Sequence, residues 1–483
     1  MTVPIAPVLC VVAAILTGLL YPAGQVAWRV RNEQKQFELV PRHDTCSVLN
    51  DPLLQGCEKG VVHYPTGQVF FACAIDTSVR EKWFPAVMEF DPEAALNPKG
   101  GIVRLDLKSS KVTRLELQDF PPTFHPHGLS IVPSPDDPNQ LLIAAVNHGA
   151  SGSSVEIFEH TLQTTTARHL ETFRNDKLLP APNDVLLLDR HSFFATNDRS
   201  NVRSKLWTAV ERSGWVKGGH IVYKGKDGNA KVVADKVEYP NGIAASVDQK
   251  HIYVGDNSRA QVLVYERRGT NRLRLVDTIP IPHAADNLSV EPSTGNIYVT
   301  GVNQFFSCLV AFLMDGPTVC PGAVTKITNN TDHDLFFGKK YKTSIVFTDD
   351  GHRIPVMTIA GVVPDLKKSF VAGLSEFLKK LKAQTGAVKR ISKDLSYYDI
   401  EAVKQQERID KLVASGADIH DIRKQKEVLE ETFQMMPDGK RRLATAHKDL
   451  SDLLEKFMKN APPEAASSEE VVAAKELLAE VHV

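Results

Sequence analysis

No GxSxG, HExxH or GxGxxG occurs in the 483 residues, so serine-hydrolase, zinc-protease and dinucleotide chemistry have no sequence support. Cysteine is sparse: Cys10, Cys46, Cys57, Cys73, Cys308 and Cys320 form no CxxC and no zinc spacing. In an oxidising lumen Cys46 with Cys57, or Cys308 with Cys320, could close local loops. Net charge is formally −1, which excludes the electrostatic footprint of a nucleic-acid binder. Charge is also missing from Thr2 to Ala27, and the apolar run from about Val3 to Tyr21 nears the length of a membrane span. Residues 1–28 therefore read as an uncleaved signal anchor, with a cleaved signal peptide as the alternative and a membrane as the partner. Finally, the turn formers thin out. Only Gly386, Gly416 and Gly439 of 29 glycines, and Pro437, Pro462 and Pro463 of 28 prolines, lie beyond residue 373. A turn-rich, strand-like part precedes a helix-rich one.

The first part carries short polar motifs: Glu58, His125-Pro126-His127-Gly128, Asn147-His148, Asn183-Asp184, Asn241-Gly242 and Asp286-Asn287. Most adjoin apolar runs, where an unpaired polar group costs about 1–3 kcal/mol. Glu58, Asn183, Asn241, Asp286 and Asn287 brought to one point would make an all-oxygen cage, the ligand set of a hard divalent cation such as calcium. A hard cation polarises an ester carbonyl, and a neutral imidazole can take a proton from water. His127 is the candidate base and His148 its orienting partner. Taken singly, the Asn and Asp pairs are ordinary turn residues and the histidines ordinary core residues.

Residues 40–373 contain many short strands, among them Leu141–Val146, Val155–Phe158, His251–Val254 and Gln261–Tyr265. A turn followed by a strand recurs, as in Val247–Lys250 before His251 and Glu291–Gly295 before Asn296. Such repetition predicts an all-β propeller, and the length suits six blades. Loops from different blades meet at a central tunnel, so distant residues could share one ion.

His125–Leu129, Val146–His148, Val155–Phe158, Asn183–Val185, Asn241–Ile243 and Asp286–Val290 follow one another in the order and spacing of the paraoxonase/arylesterase family, which this region resembles. The resemblance implies a six-bladed propeller with two tunnel calciums that hydrolyses lactones and aryl esters. It implies Glu58, Asn183, Asn241, Asp286 and Asn287 as catalytic calcium ligands and His127 and His148 as the histidine pair. This chain departs from the family in three places. Lys59 replaces an acidic ligand of the structural calcium, so one calcium is expected, with Lys59 paired to Asp184 in place of the second ion. Val302 stands nearest the place of a further family histidine. Cys46 suits the first half of a disulfide joining the first and last strands, yet no late cysteine exists, and the last blade is cut short after Gly373.

From Leu374 the period changes. Leu378, Leu381, Val388, Ile391, Leu395, Tyr398, Ala402, Ile409 and Leu412 make a coiled-coil-like seam, repeated by Leu443, Ala446, Leu450, Leu453 and Phe457. With a short third helix from about Ser467, residues 374–483 predict an all-α three-helix bundle without a catalytic constellation. Gln384–Ile391, Lys404–Ile409, Asp421–Gln425 and Met435–Leu443 resemble tubulin-binding cofactor A. That resemblance implies a non-enzymatic chaperone that takes β-tubulin after chaperonin release. The two parts imply different addresses: secretory lumen or membrane for the propeller, cytoplasm and cytoskeleton for the bundle. The cut-short blade lies at their junction, which reads as two neighbouring coding units joined, with one bifunctional protein as the rival.

Overall fold

The computed structural model describes residues 46–481 except 48, 50, 122, 203, 205–206, 209–210, 212–215, 304–307, 309–319, 330–339, 352–353, 355, 374–376 and 459–468. The anchor at 1–28 and Cys10 lie outside the described residues, as do the side chains of Leu378 and Phe457. No described helix is long and apolar enough to cross a membrane. The chain divides into two compact units between Ser375 and Glu376.

The first unit is built from antiparallel blades. Their innermost strands are Cys57–His63, Pro126–Pro133, Pro182–Asp189, Pro240–Ala245 and Leu288–Val290. Each begins a four- or five-stranded sheet. The five-stranded blade gains Glu116–Gln118, which pairs in parallel with its outer strand. Period-2 alternation explains why the blades stack. In Gln140–Gly149, Leu141, Ile143 and Ala145 pack toward blade 1, while Leu142, Ala144 and Val146 pack toward blade 3. Phe193 faces blade 2 and its neighbour Phe194 faces blade 4. A strand buried on both faces therefore reads as a continuous apolar run.

The six-bladed expectation is corrected to five. At the sixth place the described residues form only a two-stranded hairpin, Met357–Val363 with Lys368–Gly373. The chain then passes into the helical unit, so no outer strands follow. The hairpin still closes the ring: Val363 and Phe370 pack on Phe71 of blade 1, and Ala360 packs on Tyr298 and Val324 of blade 5. Hydrogen bonds join the same edges, Thr358 Oγ1 to Cys57 O (3.0 Å) and Ser289 Oγ to Ala360 O (2.7 Å).

The strand register also corrects the cysteine pairing. Cys57 stands opposite Cys73 with Cα atoms 3.9 Å apart, and the two form a disulfide in place of the expected loop with Cys46. Cys308 and Cys320 are bonded to each other.

The second unit holds three helices, Phe377–Ala414, Ile419–Met458 and Glu469–Glu480. With the short propeller helices Thr77–Lys82 (α1) and Pro92–Leu96 (α2) numbered first, these are α3, α4 and α5. Helix α4 continues unbroken through Pro437. Leu381, Val388, Leu395, Leu443, Leu450 and Leu454 pack with Val471, Ala474 and Val481 into one core. Leu450 is fully buried, so Leu450→Asp should destabilise this unit by on the order of several kcal/mol, because its carboxylate would lose water without gaining a partner. Loss of helical circular dichroism at a temperature where wild type keeps it is the expected readout; an unchanged melt would contradict the seam.

Candidate functional site at the tunnel mouth

The same irregularity recurs where the innermost strands begin. The ladder register slips between Cys57 and Lys59, Pro126 and Leu129, Pro182 and Val185, and Pro240 and Ile243. The residues inside these slips are Glu58, His127-Gly128, Asn183-Asp184 and Asn241-Gly242. A bulge bends a strand and re-aims its side chains, so one local device turns each motif off the ladder. Two glycines then let the blades close up. A Cβ on Gly128 would lie 2.4 Å from Asp184 Cα, and one on Gly242 would lie 2.6 Å from Asn287 Cα.

The structure places Lys59 Nζ 2.7 Å from Asp184 Oδ2, with both side chains almost wholly buried. The ammonium also donates to Asn287 Oδ1 (3.3 Å) and Leu288 O (3.4 Å), tying blade 1 to blades 3 and 5. Asp184 accepts further from the Val185 N–H and the Ile243 N–H, 2.9 Å each. Asn287 therefore turns its oxygen toward Lys59, and its Nδ2 donates to Glu58 O at 3.0 Å.

Glu58, Asn241 and Asp286 make the remaining oxygen cluster, with Asn183 buried next to Asp184. Desolvation and then the charge of Glu58 push the Asp286 carboxyl well above the usual range, against the nearby Lys59. Burial would raise Glu58 too, but His127, Arg80 and Lys59 together outweigh it and hold it below its ordinary value. Asn241 Oδ1 is buried without a hydrogen-bond partner. An orphaned amide oxygen beside two carboxylates fits a hard cation. Among the described residues no three His, Cys, Asp or Glu side chains form a metal cluster, so a cation here depends on amide oxygens as well.

His127 Nδ1 lies 2.9 Å from His148 Nε2, and His148 Nδ1 lies 2.9 Å from Ser153 Oγ. His127 Nε2 is 3.7 Å from Glu58 Oε1. Burial, then the charges of His127, Arg80 and His125, hold His148 well below the ordinary imidazole range, so it is neutral at neutral pH. Phe84 packs edge-on against both rings.

Sequence reasoning missed Arg80. From α1 its Nη2 donates to Glu58 Oε2 (3.2 Å) and its Nη1 to Gly56 O (3.1 Å), above the Phe84 ring. Nothing local announces a contact across 22 residues. A second omission, Asn197-Asp198 and Asp256-Asn257, had a signal in the Asn147-His148 motif. Because the strands are antiparallel, the ends of the second strands reach the same mouth. Asn147-His148, Asn197-Asp198 and Asp256-Asn257 occupy equivalent places in blades 2, 3 and 4. Arg199 is gripped there by both Asp198 oxygens at 2.8 and 3.0 Å. Burial pushes the Asp256 carboxyl up to about 6.

Residues 49–374 match the Arylesterase family model, and residues 376–478 match the tubulin binding cofactor A model. Mouse serum paraoxonase/arylesterase 1 is 28% identical over 328 residues, 65% of this chain and 83% of that protein. Dog serum paraoxonase/arylesterase 2 is 31% identical over 285 residues, 57% of this chain and 75% of that protein. The solved human tubulin chaperone cofactor A is 35% identical and covers 22% of this chain and 96% of its own, with a TM-score of 0.19. The chain belongs to the arylesterase family through its propeller and carries a tubulin binding cofactor A domain after it.

Proposed function

We propose that the propeller is a calcium-dependent hydrolase of lactones or aryl esters and that the helical unit is a chaperone for β-tubulin after chaperonin release. The convergence of Glu58, Asn241, Asp286 and the His127–His148 pair at one tunnel mouth carries the enzymatic reading. Glu58, Asn183, Asn241 and Asp286 would hold the calcium, whose charge would polarise the substrate carbonyl and stabilise the developing oxyanion. With the Nδ1–H of His148 donating to Ser153, its Nε2 accepts from the Nδ1–H of His127. That leaves His127 Nε2 as a lone pair able to take a proton from water. Burial of His148 keeps it neutral and so preserves this tautomer chain.

A second reading, a non-catalytic binding propeller, has one observation in its favour: the Arg80 guanidinium already occupies a Glu58 oxygen. Hydrolysis of an aryl ester by the full chain, with and without a calcium chelator, separates the two. The catalytic reading expects turnover that stops on chelation and returns with added calcium. It also expects His127→Gln to slow turnover at least about tenfold, the loss of a general base, with calcium affinity unchanged. Turnover that survives chelation would overturn it. The chaperone reading expects co-elution with β-tubulin but not α-tubulin.

The disulfides Cys57–Cys73 and Cys308–Cys320 favour an oxidising compartment for the propeller, and the anchor reading adds a membrane there. The chaperone role requires the cytosol. One continuous chain puts both units on one side of a membrane, so the two roles compete for one address.

A further inference from the structure

The third helix of the bundle covers only part of the α3–α4 hairpin. Helix α5 has 12 residues against 38 in α3, or about 18 Å against about 57 Å. The core it shares with the hairpin runs from Leu381 to Tyr398 on α3 and from Leu443 to Leu454 on α4. On α4 the residues that meet α5 include His447, whose Nε2 lies 3.3 Å from Leu478 O, and the buried Leu454. They are one heptad apart. Counted back by heptads, the same stripe continues through Lys440, Phe433, Lys426 and Ile419. Beyond the end of α5 no described residue covers this stripe: Phe433 is 52% and Ile419 78% exposed. Gln405 bonds to Gln425 across the hairpin at 2.9 Å, a register that puts Val413, 56% exposed, beside Ile419. Below them the seam is only two helices deep, with Ala402, Ile409 and Thr432 buried in it.

We propose that this uncovered half of the groove receives an amphipathic helix of the β-tubulin client, which completes the three-helix packing that α5 makes in the other half. The inference rests on the chaperone reading and adds where and how the client is held. The groove is continuous, and its other half already seats a helix through Val471, Ala474, Leu478 and Val481, spaced three, four and three. The client helix carries small or branched apolar residues at that spacing. Lys426 and Lys440 are exposed on the stripe, so it carries acidic residues along the edge that meets α4, while Asp399 and Gln406 line the α3 rim.

The test uses the full chain and purified β-tubulin in a titrated co-elution assay. Phe433→Ser with Ile419→Ser should weaken capture at least tenfold. Tyr397→Ser with Ile400→Ser, exposed on the opposite face of α3, should change it less than twofold. Helical circular dichroism should be unchanged in both, since all four side chains are exposed. Should the first pair reduce helicity, Val413→Glu on the other helix makes the same test. Capture unchanged by the groove variants, or lost in the opposite-face pair, would overturn the groove. A sedimenting dimer that the groove variants abolish would assign it to a second copy instead. Wild type that fails to retain β-tubulin would sink the chaperone reading itself.

Discussion

Lys59→Ala should destabilise the propeller by about 3–5 kcal/mol, the cost of stranding one member of a buried ion pair. Asp184 is fully buried and would keep only the two amide donors of Val185 and Ile243. The same ammonium spans blades 1, 3 and 5, so its loss removes a tie across the tunnel as well as a charge. Breaking a pair differs from replacing it, because uncharged groups escape the large cost of desolvating a charge. Lys59→Met with Asp184→Asn should therefore recover much of the loss. Lys59→Asp should recover it only when calcium is plentiful, since the added carboxylate needs a cation. Urea midpoints with and without calcium give the measurement. A Lys59→Ala midpoint within about 1 kcal/mol of wild type would show that the pair holds nothing.

Asp286→Ala should reduce calcium-dependent hydrolysis to below about one hundredth of wild type. Asp286 and Glu58 are the carboxylates of the remaining cluster, and Arg80 bonds to Glu58, while Asp286 forms no ion pair with the described residues. Asn241→Ala should act in the same direction, through the orphaned oxygen that it removes. Asn287→Ala should be milder, because its oxygen already serves Lys59. Initial rates across a calcium titration would rank the three. Equal losses at Asn241 and Asn287 would mean that the Asn287 amide is turned the other way, and full activity in Asp286→Ala would end the metal mechanism.

The propeller was legible because its strands serve two neighbours. A run such as Leu141–Val146 is apolar throughout, and that is the signature of a strand packed on both faces. The equivalent placing of the motifs was legible for a related reason. Pro126-His127-Gly128, Pro182-Asn183-Asp184 and Pro240-Asn241-Gly242 repeat one bulge at one place in successive blades. The count of blades was not legible, since length alone cannot tell four strands from two, and the hairpin at Met357–Gly373 uses the space of a blade with half its strands. Arg80 was hidden because a contact made from a connecting helix leaves no period in the sequence. The Cys57–Cys73 bond was hidden by register, which depends on a bulge that sequence spacing does not reveal. In the helical unit the heptads gave the seam, and the helix runs intact through Pro437.

The Lys59 ammonium neutralises the buried Asp184, and the proposed site then has oxygen donors for a single cation. Calcium bound per chain, measured on the full-length protein by elemental analysis after equilibration in excess calcium and rapid desalting, tests it most directly. One calcium per wild-type chain, rising toward two in Lys59→Asp, is the predicted result; two per wild-type chain would contradict it.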